Sequence, residues 1–419
     1  MRIIADLHLH SKYSRATSGQ MVLKEIARWA NLKGIDIIGT SDFTHPAWLS
    51  EIKRDLEDLG NGFYVIRGQK KPRFILSAEI SSIYSQGGKV RKIHTVVLAP
   101  SINTVEKINK KLGTIGNLYS DGRPILGLSA KDLAKIVLDI DSRCMIIPAH
   151  MWTPWFSVFG SKSGFNSLEE CYEEMTQYIY AGETGLSSDP EMNWRVSDLD
   201  KITLVSNSDA HSPANLGREA NVFEIIDSDY SYNYICEIIR SKDPKYFPYT
   251  IEFYPEEGKY HFDGHRSCGA LKLNPKDSIK NKNICPVCKK ELTIGVLHRV
   301  EELADRPEKY RPLKFPGSRH LVPLQEIIAQ AKGVSKTSKK IQEEYLRIVQ
   351  TLGSEFSILL DFDLKKLKGE VEEKVIEGIM NVRENNIEPI PGYDGVYGII
   401  NVLNSRREKQ GKKSNQKLF

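Results

Sequence analysis

The chain opens Met1-Arg-Ile-Ile-Ala-Asp-Leu-His-Leu-His10. Arg2–Leu7 is a near-continuous apolar run, the pattern of a strand buried on both faces. Residues two apart on a strand point to the same face, so His8 and His10 at its end can grip one ion together. Six further β-rich runs follow: Ile35–Thr40, Arg73–Glu79, Ile93–Ala99, Cys144–Ala149, Tyr178–Thr184 and Ile202–Asn207. Amphipathic segments lie between them, at Val22–Lys33, Glu51–Leu59 and Ala130–Leu138. Strand–helix alternation of this kind predicts an α/β fold with a parallel sheet or a seven-stranded barrel over residues 1–240.

The chemistry-bearing residues collect at strand termini. Asp42 and His45 follow the second run, Glu79 ends the third and His94 begins the fourth. His150 follows the fifth, Glu183 nears the end of the sixth, and Asp209-x-His211 follows the seventh. In α/β barrels the C-terminal strand ends converge on one basin. Imidazole suits zinc, manganese or iron, and carboxylates can bridge two ions. So many donors exceed the needs of one metal and predict two or three divalent ions, zinc, manganese or magnesium. Glu79, His150 and Asp209 are the expected catalytic residues.

The motifs His8-Leu-His10, Ser41-Asp42-Phe43, Ser77-Ala78-Glu79, His94, Ala149-His150 and Ser208-Asp209-Ala210-His211 resemble the PHP superfamily of phosphoesterases. The resemblance implies a distorted (β/α) barrel with a trinuclear metal site for phosphoester hydrolysis. By position, it implies that His8, His10, Glu79 and Asp209 hold one ion and that Glu79, His94 and His150 hold a second. His211 would hold the third, with Asp42 or His45, and Glu183 is another candidate to complete it. Two departures bear on that third site. Ser41-Asp42-Phe43 stands where the family often has Thr-Asp-His, and Ser14, Arg15 and Ala16 stand where many members carry a further His or Asp.

Residues 241–298 change character. Pro244, Pro248, Pro255 and Pro275 interrupt them, and they contain His265-x-x-Cys268 and, sixteen residues on, Cys285-x-x-Cys288. Tetrahedral zinc needs four N/S donors, and this spacing lets each pair reach one ion. All four positions are filled by protein, so the expected zinc is structural. His261 is the rival fourth ligand. Cys144, Cys171 and Cys236 read as buried free thiols.

From Arg299 the pattern is helical, with apolar residues at helical spacing over Leu324–Ala331, Ser338–Leu352 and Glu370–Glu384. This predicts a helical C-terminal domain over 299–405, with a turn-rich Gly loop at Pro391–Gly398 that leaves Tyr393 and Tyr397 exposed.

Of 419 residues, 40% are hydrophobic and 27% charged, which is ordinary globular usage. No apolar run approaches the roughly 20 residues of a membrane helix, and MRIIADLHLH does not read as a signal peptide. A cytoplasmic protein with no membrane partner is therefore expected. The net charge is +5, and the last fourteen residues, 406–419, hold six Lys/Arg against one Glu. The stretch 264–290 holds seven Lys/Arg against one Asp. Basic charge gathered in two places predicts a polyanionic partner.

With the aromatic loop Trp152–Phe159 beside His150, this tilts the reading from a small-molecule phosphatase to a nuclease. Lys12, Arg15, Trp155, Tyr393 and Tyr397 are the candidate DNA contacts, and Ser11 is a further candidate for the base pocket. The full-length arrangement resembles the endonuclease Q family of DNA repair enzymes, including Cys285-Pro-Val-Cys288 and Leu297–Asp305. The resemblance implies hydrolysis of the phosphodiester 5′ to a deaminated base (uracil, hypoxanthine or xanthine) or an abasic site, with a 3′-hydroxyl product. Gln416-Lys-Leu418-Phe419 looks like a short sliding-clamp motif. The competing readings are a phosphatase of a small phosphomonoester and a non-catalytic nucleic-acid-binding adaptor.

Overall fold

The computed structural model describes residues 1–226, 230–269 and 271–403. The expected clamp motif and basic tail, 406–419, lie outside the described residues. The fold is mixed α/β. All seven expected runs contain a strand, at Arg2–Asp6, Ile37–Gly39, Arg73–Gln86, Lys89–Ala99, Met145–Pro148, Ala181–Glu183 and Thr203–Val205.

Their pairing is not uniformly parallel. Arg2–Asp6, Ile37–Gly39 and Arg73–Gln86 run parallel in that order. Arg73–Gln86 then folds back on Lys89–Ala99, which pairs antiparallel with Met145–Pro148. The cause is the Gly87-Gly88 turn, whose φ values of 60° and 73° favour glycine. It closes a tight hairpin with Gln86 opposite Lys89. Both strands therefore run further than the sequence suggests. Glu79 and His94 sit within their strands, not at the ends. The register sets Ser81 opposite His94 and Glu79 opposite Val96, so Glu79 and His94 are diagonal neighbours on one face.

Ala181–Glu183 and Thr203–Val205 form a separate parallel pair. It returns to the first strand through the Leu9–Ala210 bridge. That return sets His8-x-His10 beside Asp209-x-His211. On the other side, Ala220–Glu224 pairs antiparallel with Arg2–Asp6, and Tyr249–Glu252 and Gly317–His320 extend the sheet. The main sheet thus continues past residue 240 into the Pro-rich stretch.

Helix Leu23–Lys33 buries Leu23, Ile26, Ala27 and Ala30, a helical stripe, and ends at Gly34 in the left-handed cap conformation, φ 87°. A Cβ at Gly34 would collide with Ser354, because this helix end docks directly on the C-terminal helices. Those are Leu324–Lys332, Lys339–Leu352, Glu355–Leu360 and Glu373–Arg383. Across the junction Trp29 stacks on Tyr345, with centroids 5.8 Å apart. Buried Lys33 Nζ lies 2.8 Å from buried Glu355 Oε2. No described helix is long and apolar enough to cross a membrane.

Candidate functional site

Two groups of donors meet on Glu79. In the first, His8, His10, Glu79 and Asp209 offer ligand atoms within 4.8 Å of one another. Glu79 Oε2 lies 3.1 Å from His10 Nε2 and 3.5 Å from His8 Nε2. Asp209 Oδ1 lies 3.1 Å from His10 Nε2. In the second group, Glu79 Oε1 lies 2.6 Å from His94 Nδ1 and 3.3 Å from His150 Nε2. One carboxylate therefore faces both groups, an oxygen to each.

These atoms fit cations. His8 Nε2, His10 Nε2, Glu79 Oε1 and Asp209 Oδ1 are all buried and face one another or His94 without a hydrogen bond of good geometry. Orphaned buried polar atoms are costly in a protein that has no use for them. The electrostatics point the same way. Burial opposes charge on His8, but the carboxylates of Glu183 and Glu79 outweigh it and raise its pKa well above the ordinary value. Burial likewise opposes charge on His10, and Asp209, Asp42 and Glu79 overcome it. Burial pushes Glu79 up, yet His94, Arg123 and His8 hold it well below the usual carboxylate range. For His94 burial wins, and its pKa falls to about 4.

The backbone at the site is strained. Asp42, His150 and Asp209 have φ of 42°, 29° and 45°, in a region non-glycine residues seldom enter. Arg218 braces the Asp209 turn from Nε to the Ser208 carbonyl at 2.8 Å.

Four of the expected ligands, Asp42, His45, Glu183 and His211, lie outside both groups. Asp42 is fully buried and hydrogen-bonded. Its Oδ1 lies 3.2 Å from His10 Nδ1, while its Oδ2 accepts from Ser11 N (2.7 Å), Ser11 Oγ (2.6 Å) and Ser14 Oγ (2.8 Å). Glu183 lies 3.0 Å from His8 Nδ1 and accepts from Asn207 Nδ2 at 2.8 Å. Both carboxylates thus stand on the Nδ1 side of a histidine, where a partner of this kind sets the tautomer and orientation of a ring that binds metal through its other nitrogen. His45 stacks on Tyr13, with centroids 4.3 Å apart. His211 is half-buried, with Nδ1 2.9 Å from the Asp209 carbonyl and its ring 4.5 Å from His10. The described residues therefore assemble two groups here, and His211, Asp42 and His45 do not assemble a third. Ser11, considered for a base pocket, is fully buried and committed to Asp42.

A cavity of about 630 Å³ opens onto the site. Its lining includes His94, His150, Asp209, Trp155, Tyr260 and Tyr397. Trp155 is 37% exposed and Tyr397 52%, with Lys259 Nζ 4.5 Å from the Tyr397 ring centroid. Tyr393 is the exception among the expected DNA contacts. It is only 9% exposed, because it packs on Gly264, where no Cβ would fit. Lys12 pairs with Glu51 at 2.9 Å, and Arg15 is exposed.

His265, Cys268, Cys285 and Cys288 form another compact donor group, within 4.8 Å of one another. His265 Nδ1 lies 3.2 Å from both Cys268 Sγ and Cys288 Sγ. His261, the alternative fourth ligand, is outside this group and buried. Helix Val296–Leu303 follows, and its Arg299 bonds the carbonyls of Phe159 and Phe165, each at 3.0 Å. It thereby pins the aromatic loop that carries Trp155.

The same architecture occurs over almost the whole chain in a crystal structure of the lesion-specific endonuclease PfuEndoQ from Pyrococcus furiosus. The two are 30% identical, the match covers 98% of this chain and 99% of that one, and the TM-score is 0.84. The chain belongs to the endonuclease Q family. A second endonuclease Q structure, holding a 27-mer duplex substrate with an abasic lesion at its active site, is 31% identical. That match covers 98% of this chain and all of the other, with a TM-score of 0.85. Membership makes the chain a metal-dependent hydrolase of the nuclease class.

Residues 323–386 match the MJ0043 C-terminal domain family. The Methanocaldococcus jannaschii protein MJ0043 is 32% identical over 260 residues, 59% of this chain, which spans about a third (31%) of that protein's length. YqxK of Bacillus subtilis is 28% identical over 418 residues, covering 95% of this chain and 99% of that protein.

As an endonuclease Q, the chain should depend on the carboxylates behind its histidines. Asp42→Asn and Glu183→Gln are each expected to weaken divalent-metal binding about 10- to 100-fold without unfolding the protein. Manganese titration by calorimetry, with circular dichroism as the folding control, checks this.

Proposed function

We propose that the chain is a DNA repair endonuclease that cuts the phosphodiester on the 5′ side of uracil, hypoxanthine, xanthine or an abasic site and leaves a 3′-hydroxyl. The observation that carries the reading is the pair of donor groups sharing Glu79, set in a cavity edged by Trp155 and Tyr397. The full-length likeness to an endonuclease Q bound at an abasic lesion supports it.

Two divalent ions, zinc, manganese or magnesium, fit the donor groups. When bound they supply an activated water and neutralise charge on the phosphate. His8, His10 and Asp209 would hold one ion, His94 and His150 the other, and Glu79 would serve both. Water attacks phosphorus in line. The P–O3′ bond breaks and a proton ends on O3′, which yields the 3′-hydroxyl and a 5′-phosphate on the lesion nucleotide. The damaged nucleotide swings out of the duplex into the cavity, where Trp155 and Tyr397 offer stacking faces. Weak pairing at a lesion lowers the cost of that eversion.

In this reading the strands around Glu79 are a distorted PHP barrel, residues 241–298 carry a structural zinc on His265, Cys268, Cys285 and Cys288, and 299–405 contact DNA. The lysines of the zinc stretch, Lys272, Lys276, Lys280, Lys282, Lys289 and Lys290, neutralise backbone phosphates, so binding weakens steeply with salt.

The test uses end-labelled duplexes with one uracil, hypoxanthine, xanthine or abasic site, beside an undamaged control, with magnesium or manganese. A single cut 5′ to each lesion, absent from the control, is the expected result. Folded, metal-loaded protein that cuts none of them but hydrolyses a small phosphomonoester would replace the reading with a phosphatase.

A further inference from the structure

Arg123 belongs to no expected ligand set, yet it enters the centre of the site. Its Nη1 donates to Glu79 Oε2 at 2.9 Å, the same oxygen that faces His8 and His10. Among the described residues this is the one hydrogen bond its side chain makes. A guanidinium has five N–H donors in a planar fork, so most of its hydrogen-bonding capacity is uncommitted. The side chain is 24% exposed and so reaches both the carboxylate and solvent.

Its backbone is fixed. Arg123 N donates to Asp121 Oδ1 at 3.0 Å, and Asp121 also receives Arg15 N at 3.2 Å, which ties the loop to the segment after His10. Gly122 packs so closely on Asp42 and Ser14 that a Cβ there would collide with both. A rigidly anchored loop that delivers one arginine to the shared carboxylate positions charge more narrowly than an exposed surface arginine would.

The charges explain what the guanidinium is for. Two divalent ions and Arg123 bring five positive charges, and Glu79 and Asp209 bring two negative ones. The phosphodiester and the attacking oxygen add negative charge that rises on the non-bridging oxygens as phosphorus is attacked. Glu79 Oε2 faces Arg123 as well as His8 and His10, so a cation held there would compete with the guanidinium for that oxygen and repel it. Asp209 and Asp121 also act on the guanidinium, and a bound substrate would add the scissile phosphate as a further anion within the fork's chemistry. Planar bidentate recognition of phosphate is what arginine does best.

We propose that Arg123 is a catalytic residue that donates to a non-bridging oxygen of the scissile phosphate and stabilises its charge as the P–O3′ bond breaks. The proposal rests on the endonuclease reading above.

The test compares wild type, Arg123→Gln and Arg123→Lys on a duplex with one abasic site, with kcat and KM measured separately and manganese affinity measured by calorimetry. Losing one such donor costs about 100- to 1,000-fold in kcat. Arg123→Gln should show that loss while manganese affinity stays within about threefold of wild type. Arg123→Lys should recover part of the rate, since it restores the charge without the fork. A second arm places sulfur at either non-bridging oxygen of the scissile phosphate. One diastereomer should slow wild type by a factor that disappears in Arg123→Gln.

Three results would overturn the assignment: unchanged kcat in Arg123→Gln, a loss that excess manganese restores, or equal sulfur penalties in both proteins. The last two would leave Arg123 as a positioning residue that acts only through Glu79. If Arg123→Gln does not fold, the sulfur comparison between wild type and Arg123→Lys decides, because the diastereomer preference should shrink. Wild type cutting 5′ to the lesion in the same gel keeps failure of this proposal separate from failure of the endonuclease reading.

Discussion

Glu79→Gln is expected to abolish strand cleavage while leaving affinity for lesion-containing DNA nearly intact. Glu79 presents Oε2 to His8 and His10 and Oε1 to His94 and His150. Glutamine keeps the size but loses the charge, and its NH2 end turns a donor toward a position that needs an acceptor. Both donor groups are damaged by one substitution. The ions supply several kcal/mol of transition-state stabilisation. At about 1.4 kcal/mol per tenfold, that is a fall of roughly a thousandfold or more. Asp209→Ala should act in the same direction. It strikes one group directly, so a residue of activity at high manganese is expected where Glu79→Gln has none. Single-turnover cleavage beside a filter-binding isotherm separates the two quantities. Normal cleavage by either variant would remove these residues from the chemistry.

Lys33→Met is expected to destabilise the fold strongly, because it removes one member of a buried ion pair. Lys33 and Glu355 have side chains only 2% and 4% exposed, with Nζ and Oε2 2.8 Å apart. Glu355 also accepts from Tyr345 Oη at 2.8 Å and from Leu324 N at 3.0 Å. Methionine retains the bulk but leaves Glu355 buried without its counter-charge. Breaking such a pair from one side costs about 3–5 kcal/mol. Removing both charges, in Lys33→Met with Glu355→Gln, should recover much of the loss, since no uncompensated ion remains. Urea unfolding of the two variants beside wild type reads this directly. The pair joins the first helix to the C-terminal helices.

Much of the site was legible in the sequence, and the illegible parts share a cause. His8-x-His10 and Asp209-x-His211 announce themselves because a two-residue spacing at a strand end has one geometric meaning. Glu79, His94 and His150 were legible as residues. The lengths of the strands carrying Glu79 and His94 depend on the hairpin at Gln86-Gly-Gly-Lys89, which the apolar runs alone do not reveal. Asp42 and Glu183 illustrate a deeper limit. Spacing places a carboxylate near the basin, but whether its oxygens face an ion or the back of an imidazole depends on a few ångströms of tertiary packing. Arg123 had no local signal at all, since its partner is 44 residues away along the chain. Tyr393 was expected exposed because it lies in a Gly-rich loop. It is buried because glycine at 264 lets the ring approach the backbone. The strands Tyr249–Glu252 and Gly317–His320 hide among prolines that suggest a break in the sheet.

The left-handed backbone at Asp42, His150 and Asp209 bears on anyone who would engineer this enzyme. Each such residue carries roughly 1–3 kcal/mol of conformational strain, set against a typical folding free energy of about 5–15 kcal/mol. A library sorted only on heat resistance would therefore drift toward glycine or asparagine at these three turns, relieving the torsion and discarding a side chain of the candidate site. Melting temperature and turnover would move in opposite directions there. Directed evolution of a hardier catalyst has to hold those three codons constant and look for its gains elsewhere.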